Sequence, residues 1–525
     1  MTPLLNAVAA ATLFLAASAF AAPGMPSANV AWVAAATDAD VERVFALARN
    51  EKKPLVLYWG ATWCPPCNQL KATLFNRQDF AALSKSFVAV HVDGDRPGAQ
   101  RLGSRFKVRG YPTVVVFAPD GTEITRLPGE VDAPQMMAVL QLGLSGGRPV
   151  KAVLADALAG KTLSAGDWRL LSFYSWDTDE QQLMPKAEVP ATLVRLAVAS
   201  PAAESEIGTR LWLQALAASD EGKGLKADAA LRQRVQRVLA DPVVSRMQMA
   251  VLSNGATDIV RTLEAAGTPG RLALLAQFDG ALKRFQSDPS LSRGDRMGAV
   301  LARVELARLE LPKDETAPKL PAPLLQELRE HVASNDREIT DGYERMAVIT
   351  NAAHTLGRAG LWSDSEALLT SNLARSASPY YLMSQLGSQA RKRGRNEEAL
   401  RWYGQAFDKS EGPATRLQWG AGYVDVLVDL SPQDAPRIEK TVALLLTEAG
   451  RDSSAFAARS ARSLQRMSTK LMAWNSKGEH GAVLQRLSVQ LGALCPKVDA
   501  AEGQRASCEA LLKPAVKKAG GDKAA

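Results

Sequence analysis

The sequence predicts a molecule in two parts: an α/β domain at the N-terminus, then a large all-α region. Three observations predict it. Strand-like and helix-like patterns alternate across residues 28–145. From Lys151 to about Leu512 the apolar residues recur at helical spacing, without strand alternation. Between the two lies "SGGRPV" (145–150), whose Gly and Pro residues make a flexible break.

The elements follow in order. An apolar, Ala-rich run from Leu4 to Ala22 ends in the small-x-small site Ala19-Phe20-Ala21. It reads as a leader, residues 1–21, cut after Ala21, with an uncleaved anchor as the competing reading, and so predicts a periplasmic or otherwise exported protein. "VAWVAA" (30–35) is the first strand. Thr37 and the acids after it cap a helix from Asp38 to about Glu51. "KPLVLYWG" is an apolar run of buried-strand type, and "CPPC" opens a helix through Leu70 and Leu74. "FVAVHVD" is a strand and "GAQRLGSRFKV" a helix. "TVVVFAPDGTEITRL" is a hairpin turning on Pro119-Asp120-Gly121, and "APQMMAVLQLGL" closes the domain as a helix. The order is βαβαβαββα.

Beyond the break, "LPKDETAPKLPAP" (311–323) carries four prolines and divides the helical part into domains 151–311 and 324–512, with a flexible tail at 513–525. The chain of 525 residues is 46% hydrophobic and 22% charged, a folded composition of several domains' length. Its net charge of +8 is spread along the chain without a dense basic run, so no nucleic-acid partner is expected. After the leader no uninterrupted apolar run approaches the ~18 residues that read as a membrane span.

Chemistry concentrates in "LYWGATWCPPCNQL", residues 57–70. Two of the four cysteines, Cys64 and Cys67, sit there behind Trp63. A strand running into "WCPPC" and then a helix puts Cys64 at a helix N-terminus, where free amides favour its thiolate. Cys64, partly exposed at that mouth, would attack a substrate disulfide, and Cys67, one turn in, would resolve the mixed disulfide. Pro66 suits the first helical turn, whereas Pro65 removes one more amide that could hold the thiolate. A staple is the weaker reading, because so short a loop constrains little chain entropy. Zinc is weaker still, because the four histidines have no metal-ligand spacing to either cysteine pair. No cofactor is expected beyond the Cys64–Cys67 disulfide itself. Cys495 and Cys508 flank "PKVDAAEGQRAS" and read as a structural disulfide pinning a C-terminal helix pair.

A second element lies 48 residues after Cys64, in "VRGYPT". A cis Tyr111–Pro112 bond would press the backbone, with Thr113 after it, against the CxxC loop and offer an edge to an extended peptide.

With these motifs residues 28–145 resemble the thioredoxin superfamily, and within it the thioredoxin-like C-terminal domain of the membrane thiol:disulfide interchange protein of bacterial periplasms. Lys53-Pro54, the eight residues from there to "WC", Leu74-Phe75 and "GYPTVVVFAPDGTE" carry the likeness, over about a fifth of the chain. The resemblance implies a thioredoxin fold and a dithiol oxidoreductase with nucleophilic Cys64, resolving Cys67 and cis Pro112. It also implies substrate proteins with disulfides and allows a membrane electron donor. One position departs. The family places a buried Asp six residues before the first cysteine, to move protons for the resolving thiol. Tyr58 stands there, and a phenol titrating near ~10 is a poor base. His91, on the next strand, is the weak substitute.

In "LGSQARKRGRNEEALRWYGQAF" the residues Leu386, Gly387, Ala390, Gly394, Ala399, Tyr403 and Ala406 resemble the small and large positions of a tetratricopeptide repeat. Ala353, Ala367, Ala374 and Pro379 match with a two-residue slip. An ordinary helical bundle is the competing reading. Two functions follow: a protein-disulfide reductase whose helices hold clients or a redox partner, or a non-catalytic envelope adaptor.

Overall fold

The computed structural model describes residues 29–127, 132–176, 183–200, 205–219 and 224–513. The expected leader, and all of the expected tail but Lys513, lie outside them.

Five strands form one sheet: β1 (Val33–Ala34), β2 (Leu55–Gly60), β3 (Val88–Asp93), β4 (Thr113–Phe117) and β5 (Glu123–Leu127), in the order β1-β3-β2-β4-β5. β1, β3 and β2 run parallel; β4 and β5 run antiparallel to their neighbours. Parallel central strands are buried on both faces, which is why β2 reads as a continuous apolar run. Leu55, Leu57 and Trp59 face the cluster that holds Val41, Val44 and Phe45 of α1 (Asp38–Glu51). Val56 and Tyr58 face the opposite cluster with Leu70, Leu74 and Phe75. Thr37 caps α1 reciprocally with Asp40, each taking a backbone amide of the other.

Three details differ from the sequence reading. β1 is only two residues long, because the chain before it turns: Trp32 N donates to Val30 O. Trp32 instead packs edge-on to Phe75. The helix that follows Cys64 is not uniform: α2 (Pro65–Leu70) passes into a π-helical segment, Lys71–Phe75. Such bulges interrupt the regular ladder and gather at functional sites. A further helix, α3 (Gln78–Leu83), follows. The domain closes with α4 (Ala99–Arg105) and α5 (Ala133–Leu144).

From Val150 onward the described residues are helices joined by turns. Their buried cores follow one another along the chain, from Val150–Ala215 through Leu213–Leu306 and Met297–Leu386 to Leu400–Leu511. The third of these packs helices from both sides of the proline-rich 311–323 segment. Helices Pro379–Lys392 and Asn396–Lys409 pack closely, and Gly387 permits it: a Cβ there would lie 2.8 Å from the Tyr403 ring.

The helical region curls round its own N-terminal domain. Moving along the chain, Arg246 pairs with Asp132 at the start of α5, and Gln69 of α2 donates to Ser292. Lys71 lies over the Tyr343 ring, Trp63 meets Tyr381 and Trp419, and Arg101 of α4 pairs with Asp499. Tyr380, Met383 and Ala406 complete one face of the domain's core.

Candidate active site

Cys64 is the N-cap of α2, and its Sγ accepts from Cys67 N at 3.2 Å. Pro65 and Pro66 occupy the two positions between and carry no N–H, so in this first turn only one amide reaches the sulfur. Cys64 and Cys67 form a disulfide with Cα atoms 5.2 Å apart. The Tyr111–Pro112 peptide bond is cis. Thr113 begins β4 opposite Trp59, and its hydroxyl donates back to Gly110 O at 2.9 Å. Far from this site, Cys495 and Cys508 join in a second disulfide, Cα–Cα 5.6 Å, beside the buried core of the last helices.

Cys64 is not at an open mouth. It is 3% exposed and Cys67 is fully buried, which overturns the partial exposure expected from the motif. The cause is the helical region. Trp63 Nε1 donates to Asp95 Oδ2 at 2.9 Å and to Thr415 Oγ1 at 2.7 Å, and the Thr415 hydroxyl donates to Asp95 in turn. The Trp63 ring stacks on Tyr381 (centroids 6.0 Å) and meets Trp419 edge-on. The Arg459 guanidinium lies over both Trp63 and Tyr111, at 5.4 and 4.6 Å from the ring centres. The backbone N–H of Arg459 also donates to Gln100, whose amide donates to the Tyr111 hydroxyl at 2.8 Å. A tryptophan held this way closes the cysteine behind it.

The proton-handling groups are unlike an isolated acid. Tyr58 is fully buried, and its hydroxyl finds no hydrogen-bond partner among the described residues. The hydroxyl and Cys67 Sγ converge on Gly60, where a Cβ would lie 3.4 Å from the sulfur and overlap the phenol. Burial, with Asp93 and Tyr343 adding, raises the phenol above its ordinary range, so it stays protonated. His91 stacks on Tyr58 at 5.2 Å between centroids. Burial pushes it down to about 3, with Lys71 and Arg96 adding, so it is a neutral ring and a feeble base at neutral pH.

Three groups that sequence reading missed stand closer to the need. Lys71, one helical turn beyond Cys67, is 1% exposed, and burial pushes its ammonium down to about 8 against the pull of Asp93. Burial raises the Asp93 carboxyl, while the Asp95 amide and Lys71 oppose that rise. Asp95 is pushed up to about 7 by burial and by Asp93, against its hydrogen bonds from Thr415 and Trp63 and the charge of Arg459. A signal for Lys71 was present: it falls on the apolar stripe of Cys67, Leu70 and Leu74. Nothing local marks Thr415, Trp419 or Arg459, because they reach the site from more than 300 positions away.

Among the described residues no group of His, Cys, Asp or Glu is arranged to hold a metal ion, and no helix is long and apolar enough to cross a membrane.

Residues 41–143 match the family model of the thioredoxin-like domain. The chain is similar to a thiol:disulfide interchange protein DsbD of Pseudomonas aeruginosa, 30% identical over 116 residues, which cover 21% of this chain and 20% of that protein. It is similar also to the DsbD of Cronobacter sakazakii, 32% identical over 120 residues, covering 22% and 21%. A third, from Vibrio vulnificus, is 30% identical over 106 residues, covering 19% and 18%. The chain thus spans about a fifth of the length of the curated relatives it matches.

Proposed function

We propose that the protein is an exported thiol:disulfide oxidoreductase that reduces disulfides in client proteins, with the helical region controlling access to the dithiol. One observation carries the reading: in a thioredoxin-like domain related to DsbD, the Cys64–Cys67 pair caps a helix. In the reduced enzyme the Cys64 thiolate attacks one sulfur of a client disulfide. The Cys64–client bond forms, the client S–S bond breaks, and the departing client thiolate takes up a proton. The Cys67 thiolate then attacks Cys64 Sγ. The Cys64–Cys67 bond forms and the second client thiol leaves, so two electrons have passed to the client. A dithiol donor, in keeping with the kinship a membrane protein, restores the reduced pair. The reducing direction is supported by the first turn of α2, where two prolines leave one amide on the sulfur; a strongly oxidising pair needs a more stabilised thiolate.

Cis Pro112 and Thr113 form the edge along which the client strand lies, and Trp63 and Tyr111 flank it. The helices around 342–409 are diverged tetratricopeptide-like hairpins, as the fit of Gly387 against Tyr403 supports. A second reading, a non-catalytic envelope adaptor, is favoured by the burial of Cys64 and by the unpartnered phenol of Tyr58. Insulin reduction separates the two. The protein from residue 22 onward should reduce insulin, and its Cys64→Ala variant should not; equal background rates would sink the enzyme. A Cys67→Ala variant should accumulate mixed disulfides whose partners are the clients.

A further inference from the structure

A cavity of about 360 Å³ lies where α2 meets the helical region, within the size range of ligand sites. Pro65, Gln69 and Leu70 form one wall, and Met249, Asp295 and Gln385 are among the residues opposite. It reaches both prolines of the CPPC loop, and Tyr381 stands between it and Trp63. A chain leaving Cys64 on this side would enter it.

Among the described residues no Lys or Arg lines it. Its acid–base groups are two carboxyls, Asp132 from the thioredoxin-like domain and Asp295 from helix Arg293–Ala307, and His354, whose imidazole burial holds below its ordinary value. Burial raises the Asp295 carboxyl and the charge of Asp132 adds to it, against the hydrogen bonds from Ser292 and the charge of Arg246, which is bonded to Asp132 and Asp288. Among the described residues Asp295 takes its hydrogen bonds from Ser292 alone. Gln385 donates its amide to Thr350 O at 3.1 Å, which fixes the side chain and leaves its buried Oε1 without a donor among the described residues. The Ser253 hydroxyl, in the same lining, also has no partner among them. Buried acceptors without donors cost free energy until a ligand supplies N–H groups.

We propose that this cavity binds the client segment next to the reacting cysteine and is selective for a lysine or arginine side chain, which enters between Asp132 and Asp295 and gives an N–H to Gln385. The specificity rests on the dithiol reading above, but the binding itself does not require thiol chemistry.

The test uses the oxidised full chain and cysteine-free probes. An acetylated, amidated, fluorescein-labelled hexapeptide of alanine and serine carries one central arginine; counterparts carry citrulline or glutamate. By fluorescence anisotropy the arginine peptide should bind about tenfold or more tighter than the citrulline peptide, the worth of one charge-assisted hydrogen bond, and the glutamate peptide should bind weakest. Asp295→Asn and Gln385→Leu should each remove most of that preference. A benzophenone version of the peptide should crosslink to helix Met249–Asn254 or to α2 in the unaltered protein, so the outcome stands even if a variant fails to fold. Equal binding of arginine and citrulline peptides, or crosslinks elsewhere, would overturn the proposal. Since no probe has a cysteine, a failed insulin assay and a failed binding assay are separate results.

Discussion

Trp63 Nε1 donates to Thr415 Oγ1 at 2.7 Å, a bond between residues 352 positions apart that joins the residue before Cys64 to the helical region. The donor is shared with Asp95, so one indole ties the two loops of the thioredoxin-like domain and the helix Pro413–Leu430 together. The dithiol is closed by the chain's own far half. On the proposed reading, a client reaches Cys64 when this contact opens.

Thr415→Val therefore tests the closure. Valine keeps the shape and removes the hydroxyl that both receives from Trp63 and donates to Asp95. In the reduced protein Cys64 should be alkylated by iodoacetamide about tenfold faster, equivalent to ~1.4 kcal/mol of lost closure. Mass spectrometry of the Cys64 peptide over time reads the rate. An unchanged rate would mean that the bond does not hold the site shut.

Lys71 makes stability depend on pH in the alkaline range. Its folded value, about 8, lies below the unfolded value of 10.5. Between the two the unfolded chain binds the proton and the native chain does not, so stability rises as pH climbs from about 8 towards 10.5. At pH 7 the buried ammonium costs on the order of 3 kcal/mol. Lys71→Met should raise the thermal midpoint near pH 7 and flatten that rise. A variant that melts lower at pH 7 would count against the assignment.

Asp95 acts in the acid range with the opposite slope. Its folded value, about 7, lies above the unfolded 3.8. There the native chain holds the proton and the unfolded chain has lost it, so this group lowers stability as pH rises from 3.8 to about 7. Asp95→Asn keeps acceptance from Trp63 or Thr415 by its carbonyl and removes the titration. Urea midpoints for both proteins at pH 4.5 and 7.5 should converge at the lower pH and diverge in favour of the variant at the higher. Parallel midpoints would refute it.

The second disulfide closes the segment from Cys495 to Cys508, a separation of 13. Replacing both cysteines by serine should cost about 3 kcal/mol, from loop-closure entropy regained by the unfolded chain. Guanidinium unfolding of both proteins, followed by far-ultraviolet circular dichroism, measures it. A loss below ~0.5 kcal/mol would show that packing of the last helices suffices without the bond.

What local rules govern was legible in the chain. Helix Ala133–Leu144 was legible to the residue and the end of α1 near Glu51 to within a turn, because caps and turn residues act within a few positions. The order of strands and helices, α3 apart, followed from apolar periodicity, and the CPPC motif marked its own helix start. The π-helical segment was not legible, since Lys71–Phe75 keeps an apolar stripe whichever ladder it uses. Tertiary structure alone decided the state of the site. Whether Cys64 is open, and whether Lys71 and Asp95 hold protons, depends on how the helices beyond residue 150 pack against the domain. Solvent exclusion is set by what lies nearest in space, and for Trp63 those neighbours, Tyr381, Thr415 and Trp419, are far away in sequence.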